Sequence, residues 1–189
     1  MSQSFHEATL EFKFPTTWHV CRPEKAGYYK NQFQSFCDFS ADGGCKEVDF
    51  LAFDPANGVL WCIEVKDYRS NPRNKTNSLA EEVALKVRDV LALLPAALAK
   101  DTSPEIASRL QVGQFARLCL QNLTNIRVVL HCELPPSGTL KSSNPALFPT
   151  VSQLANYRAD LARRLRTIDP RPQINSISEP LALPWSVNE

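Results

Sequence analysis

The segment from Glu47 to Lys66 constrains the fold most. Two apolar runs, Glu47 to Phe53 (EVDFLAF) and Val59 to Lys66 (VLWCIEVK), flank Asp54-Pro55-Ala56-Asn57-Gly58. β-branched and aromatic residues favour strands, and Pro followed by Asn-Gly reverses the chain, so the segment predicts an antiparallel hairpin. A two-residue loop at Asn57-Gly58 pairs positions summing to 115 and sets Asp49 opposite Lys66. A four-residue loop from Pro55 to Gly58 pairs positions summing to 113 and sets Asp49 opposite Glu64. Side chains alternate along a strand, so both registers put Asp49, Glu64 and Lys66 on one face. Only a three-residue connection separates them.

The flanking elements extend the sheet and cover it. Thr9 to Phe14 (TLEFKF) alternates with period two and stops at Pro15, and Trp18 to Cys21 is a second short strand candidate. Tyr28 to Phe36 is aromatic-rich and fits either a short helix or a strand; Tyr28, Tyr29, Phe33 and Phe36 read as core. Ser78 with Glu81 fits a capping box, followed by Leu79, Val83, Val87, Val90, Leu94 and Leu98 at helical spacing. Pro95 is expected to kink or end that helix, giving Ala96 to Lys100 to a separate turn. A second helix is expected from Pro104 or Glu105 to about Leu120, then a buried strand from Ile126 to Leu134 and a loop from Pro136 to Pro149. Val151 to Leu165 reads as an amphipathic helix, and a short extended piece lies near Gln173 to Ile177. The order predicts an α/β domain with a mixed central sheet flanked by helices.

The 189 residues suit a single domain, with a core over about 44–134 and a C-terminal helix and tail over 151–189. A 43% hydrophobic share with 22% charged residues is enough for one packed core and excludes a disordered chain. No apolar run reaches the roughly 18 residues a spanning helix needs, and the N-terminus lacks a secretory pattern. The expectation is a cytoplasmic protein with no membrane partner. The six cysteines lack the paired spacing of a zinc site and are expected to be reduced, mostly buried thiols. Charge divides unevenly: residues 1–65 carry five Lys/Arg against nine Asp/Glu, while the remainder carries the basic excess. An acidic locus beside basic chain suits an enzyme holding cations next to a polyanion.

Carboxylates and lysines inside an apolar hairpin are costly to bury unless paired or metal-bound. Asp49 and Glu64, meeting at strand ends, suit Mg²⁺ or Mn²⁺, with the carbonyl of Val65 as a third oxygen. Lys66 beside them would orient or help deprotonate an attacking water and neutralise charge building on phosphoryl oxygens. The basic loop after the hairpin, with Arg69, Arg73 and Lys75, offers contacts to phosphates.

Asp49, then Glu64-Val65-Lys66 at the end of the next strand, then a capped helix, resembles the core of the PD-(D/E)XK, or restriction-endonuclease-like, nuclease superfamily. The stretches KEVDFLAFD and LWCIEVKDYR are similar to those of its small stand-alone bacterial members. The likeness covers about residues 44–100. It implies that Asp49 and Glu64 are metal ligands, that Lys66 is the catalytic lysine, and that DNA is the substrate. It also implies a setting in bacterial DNA repair, restriction or defence, alone, as a homodimer or in a larger complex. In such enzymes the helix after this strand often adds a polar residue; Glu82, Lys86 and Asp89 share a polar stripe here, and Lys86 is chosen as a substrate contact. An acid from an N-terminal helix often completes the metal site; Glu7, Glu11 and Glu24 are available, without a clear helix to carry them.

Two accounts compete with the enzyme. One is a solvated ion-pair cluster of Asp49, Glu64 and Lys66 at a sheet edge. The other is an inactive module on the same scaffold that binds nucleic acid or a protein. His131, inside IRVVLHCEL, reads as a satisfied sheet residue, and no nucleotide-binding glycine motif occurs. Arg158, Arg163, Arg164 and Arg166 fit a phosphate-tracking edge or a solvated helix face equally well.

Overall fold

The computed structural model describes residues 1–25, 44–70, 78–98, 106–134 and 151–189, with side chains from Val112 and Ala155 onward in the last two segments. Tyr28, Tyr29, Phe33, Phe36, Cys37, Arg73, Lys75, Glu105 and the loop 136–149 lie outside them.

Among the described residues, five strands form a mixed sheet in the order β3 (His19–Cys21), β4 (Phe50–Asp54), β5 (Val59–Asp67), β6 (Asn125–Glu133), β7 (Gln173–Asn175). The first three are antiparallel, and β6 and β7 run parallel to β5. Helices α1 (Leu79–Leu98) and α2 (Ile106–Asn122) make the crossover from β5 to β6, and α3 (Val151–Leu165) precedes β7. A separate antiparallel sheet joins β1 (Ser2–Glu7), β2 (Leu10–Pro15) and β8 (Ser186–Asn188). The α/β class and mixed sheet expected from the sequence are present.

Strict alternation sorts the hairpin between two cores. Leu51, Phe53, Leu60 and Cys62 pack against Val83, Val87, Val90 and Leu94 of α1, with Phe115 of α2 and Leu161 of α3. Phe50, Ala52, Ile63 and Val65 turn the other way, onto Phe12, Phe14, Trp18 and Trp185. Helices therefore cover one face of the mixed sheet, and the small antiparallel sheet covers the other. A helix-only covering is what the sequence order suggested. β8, whose three residues pair with Glu11, Phe12 and Lys13, brings the C-terminal tail back onto the N-terminal hairpin.

The hairpin adopts the four-residue loop. Asp54 pairs with Val59 and Phe50 with Ile63, the register that sums to 113. Asp54 closes the turn itself, accepting from Ala56 N–H at 3.1 Å and Asn57 Nδ2 at 2.7 Å. Gly58 has φ +65°, and its carbonyl accepts from Thr124 N–H at 2.8 Å. A Cβ there would sit 2.6 Å from the Asn122 carbonyl oxygen and 2.7 Å from Thr124 Oγ1. Gly58→Ala is therefore expected to destabilise the protein by about 2–4 kcal/mol, combining positive-φ strain with a backbone clash. Urea denaturation checks this, and an unchanged midpoint contradicts it.

Four expectations need correction. The first strand of the hairpin begins at Phe50, and Glu47, Val48 and Asp49 precede it. That stretch docks on α1, where Lys46 N–H donates to Asp89 Oδ2 at 2.9 Å. Helix α1 continues through Pro95 to Leu98. Proline removes one hydrogen bond near an exposed end, while buried Leu93 and Leu94 beside it hold the helix to the core. Leu98, assigned to the apolar stripe, is exposed. Finally, Cys45 is disulfide-bonded, contrary to the expectation of reduced thiols throughout. Connectivity of this kind is not deducible from spacing. Cys21, Cys62, Cys119 and Cys132 are free and buried, as expected.

Candidate active site

Alternation along β5 puts Glu64 and Lys66 on the same side as Leu60 and Cys62, beneath the first turns of α1. The β4–β5 register, continued one residue beyond Phe50, sets Asp49 opposite Glu64. Asp49 Oδ2 accepts the Val65 N–H at 2.7 Å, which anchors the aspartate across the open end of the hairpin. From above, α1 delivers Glu82 and Lys86, one turn apart on the face toward the sheet.

These side chains form one network. Glu64 is completely buried, and its Oε1 accepts from both Lys66 Nζ at 2.5 Å and Lys86 Nζ at 2.6 Å. Lys66 Nζ also lies 3.3 Å from Glu82 Oε1. The other oxygen of Glu64, Oε2, is buried and has no hydrogen-bond partner among the described residues. Asp49, Glu64, Lys66 and Lys86 are thus brought together, with Val65 contributing its backbone N–H to Asp49.

The electrostatics follow from burial and like charge. Burial raises the Asp49 carboxyl to about 7, and the adjacent Glu64 pushes it the same way; Lys86, the Val65 N–H and Lys66 pull against them. Burial works against the Lys66 ammonium, but Glu64 and Glu82 outweigh it, and Lys66 is held above the ordinary lysine value. Lys66 is therefore protonated across the working pH range. It suits donation to a charged oxygen; taking a proton from water does not suit it.

The carboxylates fit a divalent metal ion. A buried carboxylate oxygen without a partner costs about 1–3 kcal/mol, and a cation reaching Glu64 Oε2 would remove that cost. Among the described residues no group of three or more His, Cys, Asp or Glu side chains is arranged to hold a metal. An ion here would be held by two protein carboxylates and completed by backbone or water oxygens, as Mg²⁺ commonly is.

The other candidates are placed elsewhere. Arg69 is fully engaged: its guanidinium reaches Asp67 at 2.9 and 2.8 Å and Thr9 Oγ1 at 2.6 Å, and it pairs with Glu189. It clamps β5 to the N-terminal hairpin and the C-terminal tail, a structural role distinct from the expected phosphate contact. Arg69→Ala is expected to cost about 1 kcal/mol of stability, with the salt dependence of nucleic-acid binding unchanged. A shallower salt slope in that variant contradicts this assignment. Arg73 and Lys75, assigned with it, lie outside the described residues.

None of the three N-terminal acids joins the cluster. Glu7 pairs with Arg22, Glu24 with Arg22 and Lys25, and Glu11 with Lys13. Sequence reasoning named Glu82 only as part of a stripe and passed over it in favour of Lys86. The usable signal was its spacing: Glu82 and Lys86 differ by four, so a helix that presents one to the sheet presents the other. Asp89, the third member of that stripe, holds Lys46 N–H and Arg88.

His131 faces away from the cluster, and the expectation of a satisfied residue holds for Nδ1 only: Nε2 is buried close to Glu133 without a well-formed hydrogen bond. Its Nε2 lies 2.7 Å from Glu133 Oε1, its Nδ1 is 3.1 Å from Asn175 Nδ2, and Phe12 packs edge-on against it. Burial raises the thiols of Cys21, Cys119 and Cys132 to about 12, which removes them as nucleophiles. Arg163 and Arg164 pair with Asp160, whereas Arg158 and Arg166 are exposed. A cavity of about 500 Å³ along β3, lined by Phe5, Trp18, Arg22 and Phe115 among others, shares no residue with the cluster. Among the described residues, no helix is long and apolar enough to cross a membrane.

Comparison with family models, curated proteins and solved structures finds no match to this chain.

Proposed function

We propose that this protein is a metal-dependent nuclease that hydrolyses DNA phosphodiester bonds, with Asp49, Glu64 and Lys66 at its centre. The observation that carries the reading is the unpartnered Glu64 Oε2, sealed beside a second carboxylate whose proton affinity is raised. A purely structural ion-pair cluster gains nothing from such an arrangement, since apolar residues of similar volume usually stabilise a core at least as well. The resemblance of residues 44–100 to restriction-endonuclease-like nucleases supports the same choice, including the bacterial, cytoplasmic setting in repair, restriction or defence. Action alone, as a homodimer or in a larger complex is open to the same proposal.

In this reading Asp49 and Glu64 hold Mg²⁺ or Mn²⁺, with Val65 as a backbone ligand. The bound ion supplies the charge that makes a water nucleophilic at neutral pH and steadies the phosphoryl oxygens. Lys66, tethered between Glu64 and Glu82, keeps its ammonium directed at the position where negative charge develops. The low-dielectric surroundings strengthen that interaction. Lys86 contacts the substrate phosphate from α1, and Asp49 is oriented by the Val65 N–H before any ligand arrives.

The test is a cleavage assay on the full chain with single-stranded, double-stranded and branched DNA and with RNA, in Mg²⁺, Mn²⁺ or EDTA. Cleavage of DNA that EDTA abolishes is expected. Cutting confined to RNA reassigns the substrate, and absence of both cleavage and divalent-metal binding overturns the proposal.

A further inference from the structure

Two ammonium groups on one buried carboxylate oxygen are unusual, and the two lysines are anchored differently. Lys66 Nζ has two acidic neighbours, Glu64 Oε1 at 2.5 Å and Glu82 Oε1 at 3.3 Å. Lys86 ion-pairs, among the described residues, with Glu64 alone, at 2.6 Å. Both keep slight solvent access, with side-chain exposures of 19% for Lys66 and 15% for Lys86, while that of Glu64 is 0%. Together the lysines place two positive charges on one oxygen of Glu64, next to the free oxygen that a divalent cation would take.

We infer that Lys86 is a displaceable stand-in for the metal, which releases Glu64 when the ion binds and turns to the substrate phosphate. This rests on the nuclease reading above and adds the coupling between its two ligands. A third positive centre beside Glu64 Oε1 is repelled by both ammonium groups, and at a few ångströms such repulsion is substantial even at an effective dielectric of about 20. Lys66 remains, because Glu82 compensates it after Glu64 is shared. Among the described residues Lys86 makes no second ion pair. Its other acidic neighbour, Asp49, acts on it at longer range and is itself shared with the ion, and its long flexible stem lets the ammonium swing outward. Its freed charge then adds to the phosphate site. Metal and nucleic acid thus favour each other's binding, and the coupling is reciprocal.

The sign of the effect distinguishes this role from a plain substrate contact. Calorimetric titration of the full chain with Ca²⁺ or Mn²⁺, without nucleic acid, is expected to show Lys86→Met binding the ion about fivefold or more tightly than wild type. Lys86→Arg, which keeps the charge, is expected to stay near the wild-type affinity. Lys86→Gln replaces the methionine variant if circular dichroism shows that variant to be unfolded. With a short DNA duplex in Ca²⁺ against EDTA, the wild type is expected to bind the duplex more tightly when the ion is present. That enhancement shrinks at least about threefold in the neutral variant. Unchanged or weaker ion binding by the neutral variant, with a wild type that does take the ion, overturns this inference alone. A wild type that binds no divalent ion overturns the nuclease reading with it.

Discussion

Glu64→Gln and Lys66→Ala are each expected to reduce metal-dependent DNA cleavage by about a thousandfold or more, the scale seen when a preorganised charge is removed from a dry site. The glutamine is nearly the same shape, so the loss would come from charge: one metal-binding oxygen becomes an amide nitrogen, and two ammonium groups keep an oxygen acceptor without its negative charge. Lys66→Ala leaves both carboxylates and removes the group aimed at the developing phosphoryl charge. Both variants are expected to fold. The apolar core on this face runs from Leu51 and Cys62 to Val83, Val87 and Leu94 and does not depend on the charged cluster. Lys86 can turn toward solvent when the charge on its acceptor is removed. Steady-state cleavage with circular dichroism alongside checks the pair. Wild-type rates in either folded variant would remove the proposed site.

The second large effect concerns stability. With the folded carboxyl of Asp49 near 7 and an ordinary value of 3.8, the native protein holds this proton over a pH range where the unfolded chain has released it. Stability from this residue is therefore full below pH 4 and falls as the pH rises toward 7. A shift of about three units sets a ceiling of about 4 kcal/mol. Asp49 keeps partial contact with water, so about 1–2 kcal/mol is the expected size. Asp49→Asn keeps the acceptor for the Val65 N–H and carries no charge. It is expected to be more stable than wild type by that amount at pH 8, and equal to it near pH 4. Millimolar Mg²⁺ should raise the wild-type melting temperature at pH 8 and leave the variant's in place, since only the wild type offers both carboxylates. Thermal melts at the two pH values, with and without Mg²⁺, decide it. A variant less stable at pH 8 contradicts the raised proton affinity of Asp49.

Much of the site was legible because strand alternation is unforgiving. The Asn-Gly turn limited the hairpin to a few registers, and both favoured ones put Asp49, Glu64 and Lys66 on one face; the four-residue loop then set Asp49 opposite Glu64. Helix α1 was equally readable from its valine and leucine spacing. Long-range partners were another matter. Nothing in Ser186 to Asn188 announces pairing with β2, because a three-residue edge strand carries almost no local pattern. The engagement of Arg69 was hidden for the same reason, since Thr9 and Glu189 reach it from opposite ends of the chain. Glu82 was visible as a polar residue on a helix. Its contact with Lys66 depends on how α1 crosses β5, which sequence spacing leaves undetermined.

The central claim is that Asp49 and Glu64 grip one divalent ion, and anomalous scattering from crystals of the full chain grown with Mn²⁺ tests it most directly. A manganese peak is expected about 2.1 Å from a carboxylate oxygen of each, with Glu64 Oε2 engaged. Crystals with no manganese between these two residues, and with both lysines still on Glu64 Oε1, would contradict it.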